Sequence, residues 1–213
     1  GLFVEIDDET LANRLRKLKE KWGIEPFHRV LVYVGSMSLV SHAVDLLFDA
    51  FSIVIAQNPE VLLLMVGSGE DYEKLKQLGE KMQLREQIKF IGRVPMDEVV
   101  YYYRLAELSV DPRRRSIPAE SSLSLKLLES IAAGVPCVTT DIGDRKMVLQ
   151  RAGIAVPPDD AFLLAEGILH VLEQPEIAAT MRMAALSQRE NNWWDRRVDV
   201  LINSINSLTP ADN

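Results

Sequence analysis

The chain has 213 residues, of which 47% are hydrophobic and 26% charged, so it can form one or two globular domains with a substantial core. Its net charge of −7 argues against a nucleic-acid-binding surface, because such surfaces need a concentrated excess of lysine and arginine, although a local pocket for a small anion remains compatible with it. The single cysteine, Cys137, excludes an internal disulfide and favours a reducing, cytoplasmic compartment.

The sequence shows neither the apolar run of a membrane-spanning helix nor the pattern of a signal peptide at its first residues. No apolar run approaches the ~20 residues that a membrane-spanning helix needs, and the N-terminal GLFVEIDDET lacks the basic start of a signal peptide. We therefore expect no transmembrane segment. The abrupt start leads us to expect a fragment of a longer chain.

Helical patterns and apolar runs alternate along the chain. Strands are predicted at 30–35, 61–67, 88–92, 107–112, from Val138 onward and at 153–156. Helices are predicted at 9–21, 42–57, 71–82, 96–106 with Pro95 at its first position, from the serines at 121–124 to Gly134, at 161–174, at 176–190 and in the tail at 191–206. Strands alternating with helices of this length form right-handed βαβ units.

The predicted fold class is therefore α/β, with a doubly wound, Rossmann-like parallel sheet and a helical C-terminal extension. In such folds, ligands bind beyond the carboxyl ends of the strands, where the strand order reverses. The loops expected there are 35–41, 67–70, 92–95, 111–122 and 140–146.

The segment from Ser122 to Asp144 contains the most informative helix. A helical wheel places Leu125 on a wide apolar arc and leaves Lys126, Glu129 and Ala133 on a narrow opposite stripe, so Glu129 is the only carboxylate that the helix presents. The serines suit an N-cap, and the free N–H groups of a helix start attract anions. The alternative is that Lys126 and Glu129 form an ordinary solvated pair.

Several familiar sites are not supported. The glycines of GSGE at 67–70 are followed by Tyr72 where a dinucleotide-binding loop needs a third glycine, and no serine lies in a Gly-x-Ser-x-Gly motif. No two histidines have metal-ligand spacing, so no metal site is predicted. His28 and His170 are interpreted as surface residues, whereas His42 lies in a loop that faces the presumed cleft.

Three further features allow simple interpretations. The consecutive Arg113, Arg114 and Arg115 are either a solvated charge run or an electrostatic clamp for a diphosphate or an anionic acceptor. Cys137 lies in an apolar run and is predicted to be a buried, inert thiol. Trp193 and Trp194 are predicted to anchor the tail helix.

Five segments, in this order, resemble one family: YVGSMSLVSHAVDLLFDAF, LLLMVGSGEDYEKLKQL, IKFIGRVPMDEVVYYYRLAELSVDP, SLKLLESIAAGVPCVTTDIGD and AGIAVPPDD. Together they are similar to the C-terminal, nucleotide-sugar-binding half of family 4 (group 1) retaining glycosyltransferases with the GT-B architecture. The resemblance implies that residues 1–24 are an interdomain connection, 25–190 the nucleotide-sugar-binding domain, and 191–213 the crossing helix and tail, with Trp194 resembling the usual tryptophan there. It also implies an acceptor-binding N-terminal half outside this sequence.

The resemblance assigns binding roles residue by residue. Glu129 matches the second glutamate of the Glu-x7-Glu motif, which accepts two hydrogen bonds from the donor ribose. The resemblance places the amides of Leu123, Ser124 and Leu125 around the diphosphate and the backbone of Arg93 and Val94 against the nucleobase, with Gly35, Ser36 and Gly67 also on the donor side.

Three positions depart from the family pattern. The first glutamate of the motif falls on Ser121, with Glu120 one residue out of register. Ser36 stands where an arginine is usual, and His42 where a lysine is usual. Those two cations normally neutralise the leaving diphosphate.

A lysine three residues before the glutamate, here Lys126 and Glu129, resembles a branch of the family in which such substitutions are common, and there Lys126 and the loop of Arg113–Arg115 could supply the missing positive charge. The candidate catalytic residues are Glu129, Lys126 and His42. The resemblance implies transfer of a sugar from a UDP- or GDP-sugar to a hydroxyl acceptor, without a metal, in glycan, polysaccharide or glycolipid synthesis. Its acceptor would be a glycan or lipid bound by the other half, and the full chain could associate peripherally with the inner face of the membrane. The alternative is a degenerate domain that binds a nucleotide sugar or a protein without catalysis. A GT-B epimerase is disfavoured, since the acid pair and histidine that it needs are not found.

Overall fold

The computed structural model of the protein describes residues 6–25, 28–40, 42–122 and 124–191. The strands are β1 (Arg29–Val34), β2 (Val61–Val66), β3 (Ile88–Gly92), β4 (Leu108–Asp111), β5 (Cys137–Thr140) and β6 (Gly153–Val156). The helices are α1 (Asp8–Trp22), α2 (Val44–Gln57), α3 (Tyr72–Lys81), α4 (Val99–Leu105), α5 (Ile117–Ser121), α6 (Leu125–Ala133), α7 (Arg145–Leu149), α8 (Ala161–Glu173) and α9 (Pro175–Asn191).

All six strands form one parallel sheet in the order β3-β2-β1-β4-β5-β6. The order reverses between β1 and β4, so the loops that follow these two strands diverge and leave a crevice at the carboxyl edge of the sheet. The predicted doubly wound α/β fold is confirmed.

The sheet is buried on both faces, which explains why its strands are continuous apolar runs. In β1, Leu31 and Tyr33 pack into a cluster with residues of α2 and α8, such as Phe48 and Ile168. The alternate positions of the same strand pack into a second cluster with Tyr102 of α4. Each face therefore has its own apolar core.

The structure confirms the predicted ends of α6, but two of its residues lie on the opposite side from the predicted one. Ser124 is the N-cap, and Gly134 ends the helix with φ +70°. However, Leu125 is 65% exposed and Ala133 is fully buried, so the wheel assigned both to the wrong side. The reason is that α6 is covered on two sides: Ala133 packs in the cluster of α4, while Leu127 packs in a third cluster with residues of α7 and α9.

Two short helices and one helix start differ from the sequence prediction. Helix α5 lies within the predicted loop 111–122, and α7 begins at the end of the predicted loop 140–146. Each helix has five residues, which is too short for a recognisable period. Helix α4 begins at Val99, because residues 95–98 form a turn in which the Glu98 N–H donates to the Pro95 carbonyl at 3.0 Å. The prediction that Pro95 opens this helix was wrong. The predicted tail helix, with Trp193 and Trp194, lies outside the described residues, and the domain boundaries stay predictions.

Within the described ranges, no helix is long and apolar enough to cross a membrane.

The Cys137 thiol is buried at the start of β5, and burial, with the nearby negative charge of Asp111, raises its pKa to about 12. Because the thiolate is the reactive form, we expect no detectable reaction with a thiol reagent at pH 8 in the folded protein. Full reaction with one equivalent is expected after denaturation in guanidinium. Stoichiometric labelling of the native protein would contradict the buried position.

Candidate functional site

The crevice between β1 and β4 is bordered by two loops that are hydrogen-bonded to each other. The loop after β1 is bonded to the loop after β2: Met37 N–H donates to the Ser68 carbonyl at 3.1 Å, and Leu39 N–H donates to Asp71 Oδ2 at 2.9 Å. Gly67 has φ +136°, and a Cβ there would lie 1.9 Å from the Gly35 carbonyl oxygen. The absence of a side chain at Gly67 therefore lets the two loop backbones pack directly against each other.

Ser36 lies at the rim of this crevice with its side chain exposed. Its carbonyl accepts a hydrogen bond of 2.6 Å from the hydroxyl of Tyr33, which is fully buried. Burial raises the pKa of Tyr33, so the phenol stays protonated and remains a donor. The position of Ser36 is thus fixed by the core, but the side chain carries no charge.

His42 is half-buried near the start of α2. Its pKa is lowered to about 4, chiefly by burial and also by the positive charges of Arg113 and Arg145, which the charge of Asp111 opposes. The imidazole is therefore neutral at pH 7. A neutral imidazole does not provide the positive charge that a lysine would provide at this position.

We expect the ring protons of His42 to titrate with a midpoint near pH 4, against the ordinary value of 6.5. Because the unfolded chain binds this proton first, the folded state should lose stability as the pH falls from about 6.5 to about 4, with no effect above that window. NMR titration of His42 measures the midpoint. Unfolding of a His42→Gln variant over the same range isolates its share of the pH dependence. A midpoint at or above 6.5 would contradict this environment.

A buried ion cluster that the sequence analysis missed lies at the end of β4. Asp111 is 5% exposed, and its Oδ2 accepts a 2.9 Å hydrogen bond from the hydroxyl of Ser124 and lies 3.4 Å from Nη2 of Arg145. Nε of Arg113 lies 3.7 Å from its Oδ1. Thr139 fixes the strand end by donating to the Asp111 carbonyl at 2.8 Å. A sequence signal existed, since Asp111 is a carboxylate at the end of an otherwise buried strand.

Glu129 lies one turn after the start of α6, with a side chain that is only 14% exposed. Nζ of Lys126 contacts both carboxylate oxygens, at 2.8 and 3.0 Å, and the buried hydroxyl of Tyr103 donates to Oε2 at 3.4 Å. Burial, reinforced by the charge of Glu129, raises the pKa of Tyr103. Lys126 and Glu129 thus form the i,i+3 pair, which is mostly buried rather than fully solvated, and its role in binding stays a prediction.

The three consecutive arginines each pair with a different acidic residue. Arg113 turns inward to Asp111, with its side chain 19% exposed. Arg114 crosses the crevice, donating to the Leu39 carbonyl and pairing with Asp45 in the first turn of α2. Arg115 is exposed and pairs with Glu120 at 3.1 Å. The run is therefore not simply solvated, and its role as an anion clamp stays a prediction.

The remaining predicted residues have simpler settings. Ser121 is exposed at the last position of α5. Arg93 is exposed, and Val94 is half-buried against the second core cluster, in the loop after β3. The Leu123 position lies outside the described residues.

The chemistry of the site suits an anion with a hydroxylated neighbour. The starts of α2 and α6 both lie at the carboxyl edge beside the switch point, and neighbouring arginines add positive charge. Glu129 provides an acceptor for hydroxyl groups. Among residues 6–25, 28–40, 42–122 and 124–191, no group of three or more His, Cys, Asp or Glu could hold a metal ion.

Comparison with protein families finds one match. The sequence model described as "Glycosyl transferases group 1" matches residues 28–174. Among curated proteins, N-acetyl-alpha-D-glucosaminyl L-malate synthase of Bacillus anthracis is 25% identical over 83% of the chain and 45% of its own length. A GDP-mannose-dependent monoacylated alpha-(1-6)-phosphatidylinositol monomannoside mannosyltransferase of Corynebacterium glutamicum is 29% identical over 76% of the chain and 43% of its own length. The chain thus spans less than half of each relative.

Among solved structures, Anabaena HepE in complex with UDP superposes on 98% of the chain, and the chain covers 55% of HepE, with a TM-score of 0.80 and 18% identity. At that identity the match shows the fold, which is that of the GT-B glycosyltransferases.

Proposed function

Since the chain belongs to the group 1 glycosyl transferases, we propose that it is the donor-binding half of a retaining glycosyltransferase that moves a sugar from a UDP- or GDP-sugar to a hydroxyl acceptor. The similarity to a GDP-mannose-dependent enzyme and to a protein bound to UDP supports this donor class. The acceptor, a glycan or a lipid, would bind to the other half of the full protein.

The ordered carboxylate of Glu129 carries this proposal. An acid that is mostly buried, one turn after an anion-attracting helix start, is placed to accept two hydrogen bonds from a vicinal diol while the diphosphate lies at the helix end. Lys126 and Tyr103 hold the carboxylate in position before any ligand arrives. Such preorganisation lowers the cost of binding.

The reaction would depend on stabilising the diphosphate as it leaves. The backbone N–H groups at the starts of α2 and α6 and the nearby arginines provide electrostatic stabilisation of this kind. We propose that no metal is required. His42, being neutral, would act at most as a hydrogen-bonding group toward the sugar or the phosphate.

Calorimetric titration of the chain with UDP and with GDP tests the proposal. We expect one of the two to bind with a stoichiometry of one and uridine or guanosine to bind more weakly, because the nucleoside lacks the diphosphate. Turnover by the full-length protein with a panel of UDP- and GDP-sugars then identifies the donor. If neither nucleoside diphosphate binds, the proposed function is wrong.

The alternative of a non-catalytic domain gains no support from the relatives, whose names are those of transferases and a synthase.

We also propose a cytoplasmic location, with peripheral association of the full protein at the inner face of the membrane. Two observations support it: the single cysteine favours a reducing compartment, and one relative is named for a phosphatidylinositol-linked acceptor.

A further inference from the structure

Arg145 is the most buried cation among the described residues, and part of its guanidinium is unsatisfied. It is the first residue of α7 and is 1% exposed. Nη2 lies 3.4 Å from Asp111 Oδ2, whereas Nε and Nη1 have no hydrogen-bond partner in the described part of the chain. Burying an arginine with two unpaired nitrogens is unfavourable for folding, so a purely structural role does not explain it.

The contacts of Arg145 lead directly to the start of α6. The Asp111 oxygen that faces Arg145 is the same oxygen that accepts the hydrogen bond from Ser124, at 2.9 Å. Ser124 in turn accepts the N–H of Leu127 at 3.4 Å, which is the N-cap bond of the helix. Arg145, Asp111 and Ser124 thus form one connected support for the first turn of α6.

The positive charges of the same cluster act on the crevice. The guanidinium groups of Arg113 and Arg145 face the carboxylate of Asp111, and both lower the pKa of His42 against the opposing charge of Asp111. The carboxylate of Asp144 also acts on Arg145. The two arginines lie beside the positive end of the α6 dipole, where their charge is repulsive. An anion bound at the helix start is attracted both by the two arginines and by the helix dipole.

Lys126 does not substitute for this charge in the structure. Its Nζ is bonded to both carboxylate oxygens of Glu129 and so neutralises the residue that is proposed to hold the ribose. Ser36 is uncharged, and the pKa of His42 is too low for a charge at pH 7. The cations whose charge acts on His42 in the crevice are Arg113 and Arg145.

We propose that Arg145 is a positioning residue for the diphosphate, holding the first turn of α6 through Asp111 and Ser124 and adding, with Arg113, the positive charge that Ser36 and His42 do not provide. The inference rests on the proposed function and names how this site receives the diphosphate.

The test compares the affinity for the nucleoside diphosphate that binds, UDP or GDP, with the affinity for its nucleoside. In Arg145→Gln, we expect the diphosphate to bind about tenfold more weakly while the nucleoside is unaffected, since only the diphosphate senses the lost charge and the displaced helix start. Arg145→Lys keeps the charge and should recover much of the affinity. Arg29→Gln is the matched control, because Arg29 is likewise an ion-paired arginine, half-buried beside Glu107, but lies at the opposite edge of the sheet.

A merely structural role gives a different pattern. If Arg145→Gln lowers the melting temperature but weakens nucleoside and diphosphate equally, or if it behaves as Arg29→Gln does, the inference is wrong while the proposed function stands. If the unaltered chain binds neither UDP nor GDP, the proposed function fails and the inference fails with it.

A second readout needs no ligand and applies even if Arg145→Gln is less stable. Because the charge of Arg145 lowers the pKa of His42, the NMR midpoint of His42 should rise in Arg145→Gln and stay near its native value in Arg145→Lys. Should the midpoint be the same in all three proteins, the charge of Arg145 does not reach the crevice and the inference is overturned. Circular dichroism of each variant confirms that it is folded.

Discussion

Replacing Glu129 with alanine is expected to weaken binding of the nucleoside diphosphate on the order of a hundredfold, because two charge-assisted hydrogen bonds to the ribose are lost. A 2′-deoxy analogue separates this role from a general loss of charge. The unaltered chain should bind it about tenfold more weakly than the parent nucleotide, whereas Glu129→Ala should no longer distinguish the two. Calorimetry with both ligands on both proteins gives the coupling free energy between the Glu129 carboxylate and the ribose 2′-hydroxyl.

Glu107→Ala is the control for this experiment, since Glu107 is also a partly buried, ion-paired glutamate but lies beside Arg29 at the other edge of the sheet. It should bind both nucleotides as the unaltered chain does. If Glu129→Ala still discriminates against the deoxy analogue by the original factor, the ribose hydroxyls are bound elsewhere and the role assigned to Glu129 is wrong.

The fold could be predicted from the sequence because its strands are buried on both faces. Runs such as VLLLMV have no alternation to confuse with a surface strand, and the helices between them are long enough to show their period. The short helices α5 and α7 have no such signal. The start of α4 was misplaced because a proline that suits the first helical position also suits the turn that this chain forms.

The candidate site was only half predictable. Glu129 and Ser124 lie on one helix, so local spacing and a family motif were enough to select them. Asp111 and Arg145 are 34 residues apart and meet only because β4 and β5 are neighbours in the sheet and α7 follows β5. A single sequence does not specify which of several arginines turns inward.

The arrangement explains how the departures from the family pattern are compatible with anion binding. The usual cations would come from the loop after β1, where this chain has Ser36 and His42. Here the positive charge lies on the other side of the switch point, near the start of α6, with Arg113 and Arg145 around Asp111. Because both sides border the same crevice, the positive potential can be maintained although its source has moved.

The tight packing of the loops that form this crevice leads to the second large effect. Gly67→Ala is expected to lower the free energy of unfolding by about 4 kcal/mol, since it combines a strained positive φ with an added methyl in backbone contact. The new Cβ would lie 1.9 Å from the Gly35 carbonyl oxygen, and backbone atoms bonded into two loops cannot move away cheaply. Separation of the loops should also weaken nucleotide binding in the molecules that remain folded.

Gly23→Ala is the matched control. Gly23 also has a positive φ, of +62°, but a Cβ there would meet nothing within 4 Å, so only the backbone strain of about 1 kcal/mol is expected. Urea denaturation of the three proteins, monitored by circular dichroism, measures the differences in the free energy of unfolding. The comparison is valid if the denaturant slope is unchanged. Equal destabilisation by the two substitutions would show that the contact between Gly67 and Gly35 does not hold the crevice loops together.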